Sequence, residues 1–445
     1  MKIIQPANSR TKALLRPQNR IEGQRFRPIR YLLREETSEG ILLFNTLTCE
    51  MLLLSAEEEK ELNSNEDLAQ RYFAVPEGYD EQEHLEQIRK LLRMMRSEKN
   101  DISTFTILTT SDCNARCYYC FEQGYRKPMS DQVALETARY IIQKHSRPDK
   151  DVYLHWFGGE PLFHQKPIDL IADALSQHGI PFYSTMITNG YLADDTVIKK
   201  MTGPWKMKNV QITLDGPEDT YNSTKAYIYK NIPSPYRQVI NNISRIAEAG
   251  IRVNLRLNLG FENGNELERL SDELLSRYAE QKNIHATCAL LYDDEKAQDD
   301  PRWPQLILSH KRIQEKLSPL DSRDVRADSL PRGPRLYNCG TVEGTCPVIA
   351  PDGRITACEH YFDREVIGSI HTDETDLSVL APWQEVMPPL PSCRVCPIAP
   401  QCCMTPKCAS SLCYPEKQRQ KETRLRKAML AKWKTLSQNE TSEKE

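Results

Sequence analysis

The sequence predicts an α/β fold built on a parallel sheet. Between residues 104 and 300, apolar stretches rich in β-forming residues alternate with polar stretches of helical periodicity, such as SDQVALETARYIIQKH and YRQVINNISRIAEAG. Strands that alternate with helices pair in parallel through right-handed crossovers. The six predicted strands cover 105–110, 152–157, 182–188, 209–214, 252–258 and 284–292.

The residues before this alternation, 1–103, predict a separate small α+β domain. The segment IRYLLRE followed by GILLFNTLT indicates a β-hairpin, and AEEEKEL and EQEHLEQIRKLLRMMR indicate two charged helices. Ser55 and Glu58 have the spacing of a capping box at a helix start.

After the alternation, residues 301–338 predict a Pro-rich connecting segment with one helix, LILSHKRIQEKL. Residues 339–415 are rich in cysteine and contain PDGR, which predicts a hairpin turn at Gly353, and 416–445 predict a charged helix and a polar tail. The sequence therefore predicts a parallel α/β domain over 104–300, a small domain before it and a cysteine-rich domain after it.

Composition narrows the class of protein. At 445 residues the chain is long enough for two to three domains, and its net charge of −3 gives no case for nucleic acid or an anionic membrane as a partner. No apolar run reaches the ~18 residues that span a bilayer. The first residues contain no apolar signal core, so we expect a cytoplasmic protein. Its 14 cysteines are clustered, which favours metal or cluster ligation over disulfides.

Three cysteines after the first predicted strand are the most informative feature. Cys113, Cys117 and Cys120 have the spacing C-x3-C-x2-C. Zinc sites are usually closed by four protein ligands, and iron–sulfur clusters are usually held by four thiolates. Three thiolates on one loop without an evident fourth partner suggest a [4Fe–4S] cluster with one open iron, where a small molecule binds.

The motifs that follow this loop resemble those of radical S-adenosylmethionine (SAM) enzymes. The strings are YLHWFGGEPL, STMITNGYL, VQITLDGPEDTYN and RVNLRLNLG, in that order. The resemblance implies a partial (β/α)6 TIM-like barrel, with its chemistry at the carboxyl ends of the strands. It also implies a SAM site made by Tyr119, Gly158, Gly159, Glu160, Pro161, Thr188, Asn189, Asp215, Arg256 and Asn258.

Within that implied site, the GGEP segment binds the amino group of the methionine moiety, and Arg256 and Asn258 contact the ribose and carboxylate. Outside the family context, the glycine pair would be read equally well as an ordinary turn at a strand end. Tyr118 and Trp156 either line the SAM pocket or, for Trp156, pack in the core.

The cysteine-rich segment resembles the SPASM extension of radical SAM enzymes, which carries two auxiliary [4Fe–4S] clusters. Cysteine order then implies two ligand sets: Cys339, Cys346, Cys358 and Cys408 for the first cluster, and Cys393, Cys396, Cys402 and Cys413 for the second. The gap between Cys402 and Cys408 and the additional Cys403 depart from the family pattern. Two structural zinc sites of four thiolates each are the alternative. Cys49 and Cys288, isolated in apolar runs, predict buried side chains.

The resemblance implies the reaction as well. The open iron binds SAM, and one electron from a flavodoxin- or ferredoxin-type reductant cleaves it to methionine and a 5′-deoxyadenosyl radical, which removes a substrate hydrogen. Glu359 follows Cys358 directly, where sulfatase-maturating relatives have an acidic residue that takes the substrate's proton. An exposed turn carboxylate is the alternative for Glu359.

Three functions stay open. The first is a maturase that installs a thioether or carbon–carbon crosslink in a ribosomally made precursor peptide. The second is a formylglycine-forming sulfatase maturase or another SPASM dehydrogenase, and the third is a non-catalytic cysteine-rich metal-binding protein. The domain over 1–103 resembles precursor-recognition domains, which capture a peptide by adding a strand to a sheet edge. A packing extension that covers the barrel is the alternative.

Overall fold

The structure, a computed structural model, describes residues 1–15, 24–95, 102–122, 127–145, 149–230, 233–291, 295–321, 329–372, 374–385, 389–405, 407–408 and 413–442. Contacts divide the chain into two compact units. The first combines Met1–Glu98, Arg323–Asn338 and Glu385–Glu445, and the second combines Lys99–Ser322 and Cys339–Gln384. None of the helices in these ranges is both long and apolar enough to cross a membrane.

The first unit starts with a small sheet and short helices. In chain order these are β1 (Lys2–Gln5), α1 (Ser9–Leu14), β2 (Phe26–Pro28), β3 (Leu32–Thr37), β4 (Gly40–Asn45), β5 (Met51–Leu54), α2 (Ala56–Lys60), α3 (Glu66–Gln70), β6 (Ala74–Pro76) and α4 (Glu81–Met94). Strands β3 and β4 pair antiparallel and confirm the predicted hairpin, in a sheet of order β1-β5-β4-β3. The capping box is also confirmed, because Ser55 Oγ accepts from the Glu58 N–H while the Glu58 carboxylate accepts from the Ser55 N–H.

The second unit contains the predicted alternation of strands and helices. Its first elements are β7 (Thr104–Thr110), α5 (Asp131–Lys144), β8 (Val152–Gly158), α6 (Lys166–Gln177), β9 (Phe182–Thr188), α7 (Asp195–Thr202), β10 (Met207–Leu214), α8 (Glu218–Lys225), α9 (Pro235–Glu248), β11 (Arg252–Leu259), α10 (Gly264–Tyr278), β12 (Ile284–Leu290), α11 (Glu295–Gln298) and α12 (Trp303–Lys316). All six predicted strands form, pair in parallel and lie in the order β12-β11-β10-β9-β8-β7. The α/β fold with a large parallel sheet is therefore confirmed.

Burial alternates along β8, as expected of a strand with two different faces. Val152, Leu154 and Trp156 are fully buried, whereas Tyr153 and the other residues of the opposite face are half-buried. Trp156 therefore packs in the core. Cys49 and Cys288 are buried as predicted.

The first half of the cysteine-rich segment extends the large sheet. It forms α13 (Gly340–Glu343), β13 (Val348–Ile349), β14 (Arg354–Thr356), β15 (Val366–Ser369) and α14 (Ala381–Gln384). Strand β13 pairs parallel with β7, and β14 and β15 follow in antiparallel pairing. The tight turn predicted at PDGR is present between β13 and β14, with Gly353 at φ +83°.

The second half of that segment belongs to the first unit instead. Thr46 Oγ1 donates to the Pro397 carbonyl at 2.6 Å, and Gln401 Nε2 donates to the Thr46 carbonyl at 2.7 Å. The final helix, α15 (Pro415–Ser442), buries Met429 in a cluster with Phe44 and Ile398. The compact units do change at 338/339, where the sequence predicts a boundary, but the next change falls at 384/385 and not at 415/416. Main-chain pairing to β7 holds the first half of the cysteine-rich segment, whereas side-chain contacts to the N-terminal sheet hold 389–405.

Candidate functional site

The three predicted cluster ligands lie on the loop that follows β7, at the carboxyl end of that strand. Cys113, Cys117 and Cys120 are all half-buried. Burial raises the pKa of Cys113 to about 12, and the nearby Glu160 carboxylate and the other two thiols add to the effect. Thiols with a raised pKa must lose protons before they bind a metal.

The donor set of this loop fits a cluster held by three thiolates. Cys117 and Cys120 both lie close enough to Cys113 to contribute to the raised pKa of its thiol. In the described ranges, no three or more His, Cys, Asp or Glu side chains are grouped so that they could hold a metal ion.

Gly158 and Gly159 bring the end of β8 against the backbone that leads into the cysteine loop. A Cβ on Gly158 would lie 2.1 Å from the Thr110 carbonyl oxygen, and a Cβ on Gly159 would lie 2.3 Å from that of Asp112. Gly158 also has φ +113°, which side chains disfavour. The close approach that these glycines permit in the structure is to protein backbone.

A buried network joins three of the residues expected at the SAM site. Glu160 accepts from Thr188 Oγ1 and the Asn189 N–H at 2.7 Å each, and from the Leu162 N–H at 3.0 Å. Burial raises the pKa of Glu160, against the effect of these hydrogen bonds. Pro161 starts the short 3₁₀ turn Pro161–Phe163 that supplies the Leu162 N–H. Asn189 Nδ2 in turn donates to Asn114 Oδ1 in the cysteine loop, at 2.7 Å.

A second buried network joins another group of these residues. The Tyr119 hydroxyl donates to the Asp215 carboxylate at 2.9 Å, and Asn258 Nδ2 donates to the same carboxylate at 3.1 Å. Arg256 Nε donates to Asn258 Oδ1 at 2.9 Å. Side chains from the cysteine loop and from the ends of β10 and β11 are therefore joined.

Lys225, which sequence reasoning missed, lies at the centre of this second network. Its ammonium is 2.9 Å from the Asp215 carboxylate, 3.2 Å from the Tyr119 hydroxyl and 2.7 Å from Thr213 Oγ1. Burial works against the charge, but Asp215 together with Tyr119, Cys117 and Tyr221 outweighs it and holds the pKa of Lys225 above its usual value. The Lys225 carbonyl also accepts from the Arg116 N–H at 2.7 Å. No motif signals this residue, since it ends the polar helix α8.

Three of the cysteines implied for the first auxiliary cluster lie in the second unit, and Cys408 lies in the first. Burial raises the pKa of Cys346, and the Glu359 carboxylate and the Cys339 thiol contribute. Thr106 Oγ1 is 3.6 Å from Cys346 Sγ. Cys339, Cys346 and Glu359 are thus close enough to affect one another.

Glu359 is half-buried in the 3₁₀ turn Glu359–Tyr361, and its carboxylate lies 3.7 Å from Cys358 Sγ. The next residue, His360, stacks on Phe121 with ring centroids 4.1 Å apart. Phe121 directly follows Cys120, so the turn that carries Glu359 lies beside the cysteine loop.

All four cysteines implied for the second auxiliary cluster line one cavity in the first unit. The cavity has a volume of about 670 Å³ and is bordered by Cys393, Cys396, Cys402 and Cys413. Burial raises the pKa of Cys396, to about 11, and the thiols of the other three contribute. Four thiols that border one cavity match the ligand number of a closed cluster and also that of a structural zinc site, although no three of them are grouped closely enough in the described residues to hold a metal ion.

Residues 107–274 match the model of the Radical SAM superfamily. A probable GTP 3′,8-cyclase of Archaeoglobus fulgidus is 28% identical over 184 residues, which are 40% of this chain and 56% of that protein. The chain thus matches little more than half the length of this curated relative.

Two solved structures are among those similar to this chain. Native anSMEcpe with bound AdoMet and Cp18Cys peptide is 18% identical with a TM-score of 0.55, and the match covers 74% of this chain and 99% of that one. Streptococcus suis SuiB bound to precursor peptide SuiA is 14% identical with a TM-score of 0.46, over 85% of this chain and 94% of that one. The first of these likenesses shows a shared fold. The cysteine loop at the end of the first parallel strand lies within residues 107–274, the part of this chain that matches the Radical SAM superfamily.

Proposed function

We propose that the protein modifies a peptide or protein substrate by radical SAM chemistry. The observation that carries the proposal is the position of the three-cysteine loop, which is hydrogen-bonded to both buried networks of predicted SAM-site residues. When bound, a [4Fe–4S] cluster and SAM supply reductive cleavage of SAM to methionine and a 5′-deoxyadenosyl radical, which removes a substrate hydrogen. In this proposal the six parallel strands curve into a partial (β/α)6 barrel.

The chain's own residues would hold and orient these groups. Cys113, Cys117 and Cys120 would hold the cluster, and the segment Gly158–Pro161 would receive the amino group of SAM. Glu160 suits this task because it is a carboxylate kept in one orientation by three hydrogen bonds. Asp215, Arg256 and Asn258 present polar atoms at the ends of β10 and β11, where the ribose and carboxylate would bind.

We also propose a SPASM domain with two auxiliary [4Fe–4S] clusters, one held by Cys393, Cys396, Cys402 and Cys413. The common cavity of these four thiols supports the ligand set. The other cluster would take Cys339, Cys346, Cys358 and Cys408. Closed clusters of this kind would accept electrons from a flavodoxin- or ferredoxin-type protein or stabilise the fold.

The favoured reaction is a thioether or carbon–carbon crosslink in a ribosomally made precursor peptide. The first unit supports a peptide substrate because β3 is the terminal strand of its sheet in the described residues, where a strand can add beside the point at which Arg426 of α15 donates to the Arg34 carbonyl. Formylglycine formation is the second candidate. It is favoured by the fold shared with anSMEcpe, a structure that holds a Cp18Cys peptide, and by the position of Glu359 beside Cys358.

Metal analysis of anaerobically reconstituted protein tests the cluster assignment. We expect about 12 irons in the parent and about 8 in a Cys113/Cys117/Cys120→Ala variant, at four per cluster. The parent should release 5′-deoxyadenosine from SAM under reduction, and the variant should not. Equal 5′-deoxyadenosine release would contradict the radical function. About 4 irons with zinc in place of the rest would overturn the SPASM assignment.

Peptide recognition needs its own test. Substituting exposed Glu36 of β3 and Glu39 of the adjoining turn by lysine should weaken leader-peptide binding, measured by fluorescence anisotropy, because it reverses the charge along the edge hairpin. The matched control is the same substitution at exposed Glu57 and Glu61 of the neighbouring helical region. Unchanged affinity in a folded edge variant would leave the first unit as a packing extension.

A further inference from the structure

Arg89 in the middle of α4 is a buried cation that binds the backbone of the second half of the cysteine-rich segment, residues 389–405. Only 7% of the residue is exposed. Its Nη2 donates to the carbonyls of Ala399 at 2.9 Å and Pro400 at 3.2 Å, and also to that of Cys402. Its Nε donates to the Arg335 carbonyl at 3.1 Å. The guanidinium is therefore fixed against the backbone that carries a predicted cluster ligand.

The hydrogen bonds give partners to the Nε and Nη2 donors of Arg89 but do not neutralise its charge. Within the ranges that the structure describes, no carboxylate forms an ion pair with Arg89. The groups whose negative forms would favour its charge are the thiols of Cys402 and Cys403 and the Tyr31 hydroxyl. A buried charge without a counter-charge is costly, so this arrangement requires an anionic group nearby.

The cavity beside Arg89 is where such an anion would lie. Four cysteines line it, Cys393, Cys396, Cys402 and Cys413, and Lys421 of α15 places its Nζ 3.8 Å from Cys402 Sγ. Arg93, one turn after Arg89, lies 3.9 Å from Cys403 Sγ. Four thiolates give an iron–sulfur cluster a net negative charge, which grows by one when the cluster accepts an electron. The positive side chains at this cavity are therefore complementary to the negative charge of the proposed cluster.

We propose that Arg89 is a positioning residue of the second auxiliary cluster, at which it supplies the buried counter-charge and fixes the loop of Cys402. This inference rests on the proposed function, since it needs a cluster at the four cysteines. A fixed cation stabilises the reduced, more negative cluster more than the oxidised one. Arg89 is then expected to raise the midpoint potential, and helix α4 of the N-terminal region becomes part of an electron-transfer site.

The test compares Arg89→Met, Arg89→Lys and Lys90→Met in the full chain with the Cys113/Cys117/Cys120→Ala background. That background removes the SAM-binding cluster and leaves the auxiliary signals. Lys90 is the matched control because it is the next residue of the same helix and borders the same cavity, but its side chain is exposed, so that water and salt screen its charge. Potentials are measured by redox titration followed by electron paramagnetic resonance. The signal lost in a Cys393→Ala/Cys396→Ala protein identifies the second cluster.

We expect a more negative midpoint potential for that signal in Arg89→Met, and the parent's potential in Arg89→Lys and Lys90→Met. An unchanged potential in Arg89→Met with the cluster present would overturn the proposal. If Arg89→Met lacks the cluster, Arg89→Lys decides. A cluster at the parent's potential in Arg89→Lys supports the role of Arg89 as counter-charge. Absence of the cluster from a folded Arg89→Lys protein refutes that role. Failure of the proposed function is seen separately. In that case the Cys113/Cys117/Cys120→Ala protein with Arg89 intact contains no iron from auxiliary clusters.

Discussion

The buried pair of Lys225 and Asp215 is the residue-scale feature on which the cysteine loop depends most. The side chains are 3% and 2% exposed, and Lys225 also contacts Tyr119. Removing one member of a buried ion pair leaves the other charge uncompensated, which typically costs about 3–5 kcal/mol. We therefore expect Lys225→Met to lower the free energy of unfolding of the apo protein by about that amount in urea titration.

A double variant separates this pair from general damage to the core. Lys225→Met with Asp215→Asn should cost less than the sum of the two single variants, since no unpaired charge remains. Arg269→Met, which breaks an exposed pair with Glu266, should change stability by about 0–1 kcal/mol. Additive costs for Lys225 and Asp215 would show that the two charges are not coupled.

Glu122, two residues after Cys120, makes stability depend on pH. It is 6% exposed, and burial raises its pKa to about 8. The unfolded chain ionises this carboxyl at its ordinary pKa, whereas the folded apo protein keeps it neutral. The stability contribution is therefore complete below the ordinary pKa and is lost as pH rises toward about 8.

The expected outcome concerns the glutamine variant. Glu122→Gln should have a higher melting temperature than the parent at pH 8, and this advantage should shrink toward pH 5. Thermal unfolding of both apo proteins across that range measures it, and exposed Glu280→Gln is the matched control. A difference between Glu122→Gln and parent that does not change with pH would contradict the buried neutral carboxyl.

Residues within motifs were accessible to sequence reasoning, and residues outside them were not. Glu160 and Asp215 belong to recognisable strings, and the structure places each in a buried network. Lys225 forms a hydrogen bond with Tyr119, which is 106 residues away in the sequence, and Arg89 forms one with Cys402, which is 313 residues away. A lone basic residue in a polar helix carries no sign of such partners, because the fold alone brings them together.

At the scale of elements, the end of β8 sets the position of the cysteine loop. Gly158→Ala would place a methyl group 2.1 Å from the Thr110 carbonyl oxygen, so β7 and β8 must separate where the loop begins. We expect this variant to lose the SAM-binding cluster, which metal analysis would show as about 8 irons in place of about 12.

Gly250→Ala is the control for backbone strain alone. Gly250 also has a positive φ, +84°, but no atom lies within 4 Å of the position of its Cβ. It should lose about 1 kcal/mol of stability and keep its iron. Equal iron content in the two variants would show that the close contact between β8 and the cysteine loop does not position the cluster ligands.

Periodicity explains which elements were predictable. Strands β7 to β12 have seven or eight residues, long enough for their apolar pattern to show, and all six were predicted. Strand β13 has only two residues, Val348 and Ile349, and it is a strand because the edge of β7 pairs with it. The sequence predicted the turn at Gly353, but it carried no sign that the hairpin would join the large sheet.

At the scale of the whole molecule, the first unit is assembled from segments far apart in the chain. One core cluster contains Phe44 of the N-terminal sheet, Ile398 of the cysteine-rich segment and Met429 of α15. Sequence reasoning separated these segments by composition, since it cannot see which apolar faces meet. Segments that share one core are expected to lose their protection against amide hydrogen exchange together.

Met429→Ala tests this cooperativity. Met429 is 0% exposed, and truncating such a side chain costs about 2–5 kcal/mol. Because the core is shared, hydrogen exchange should accelerate in α15, in β4 and in residues 389–404, while β9 and β10 of the second unit keep their protection. Lys434→Ala, an exposed change in the same helix, should alter none of them. Acceleration confined to α15 would mean that the C-terminal helix packs on the unit without stabilising it, and the cysteine-rich segment would then depend on the N-terminal sheet alone.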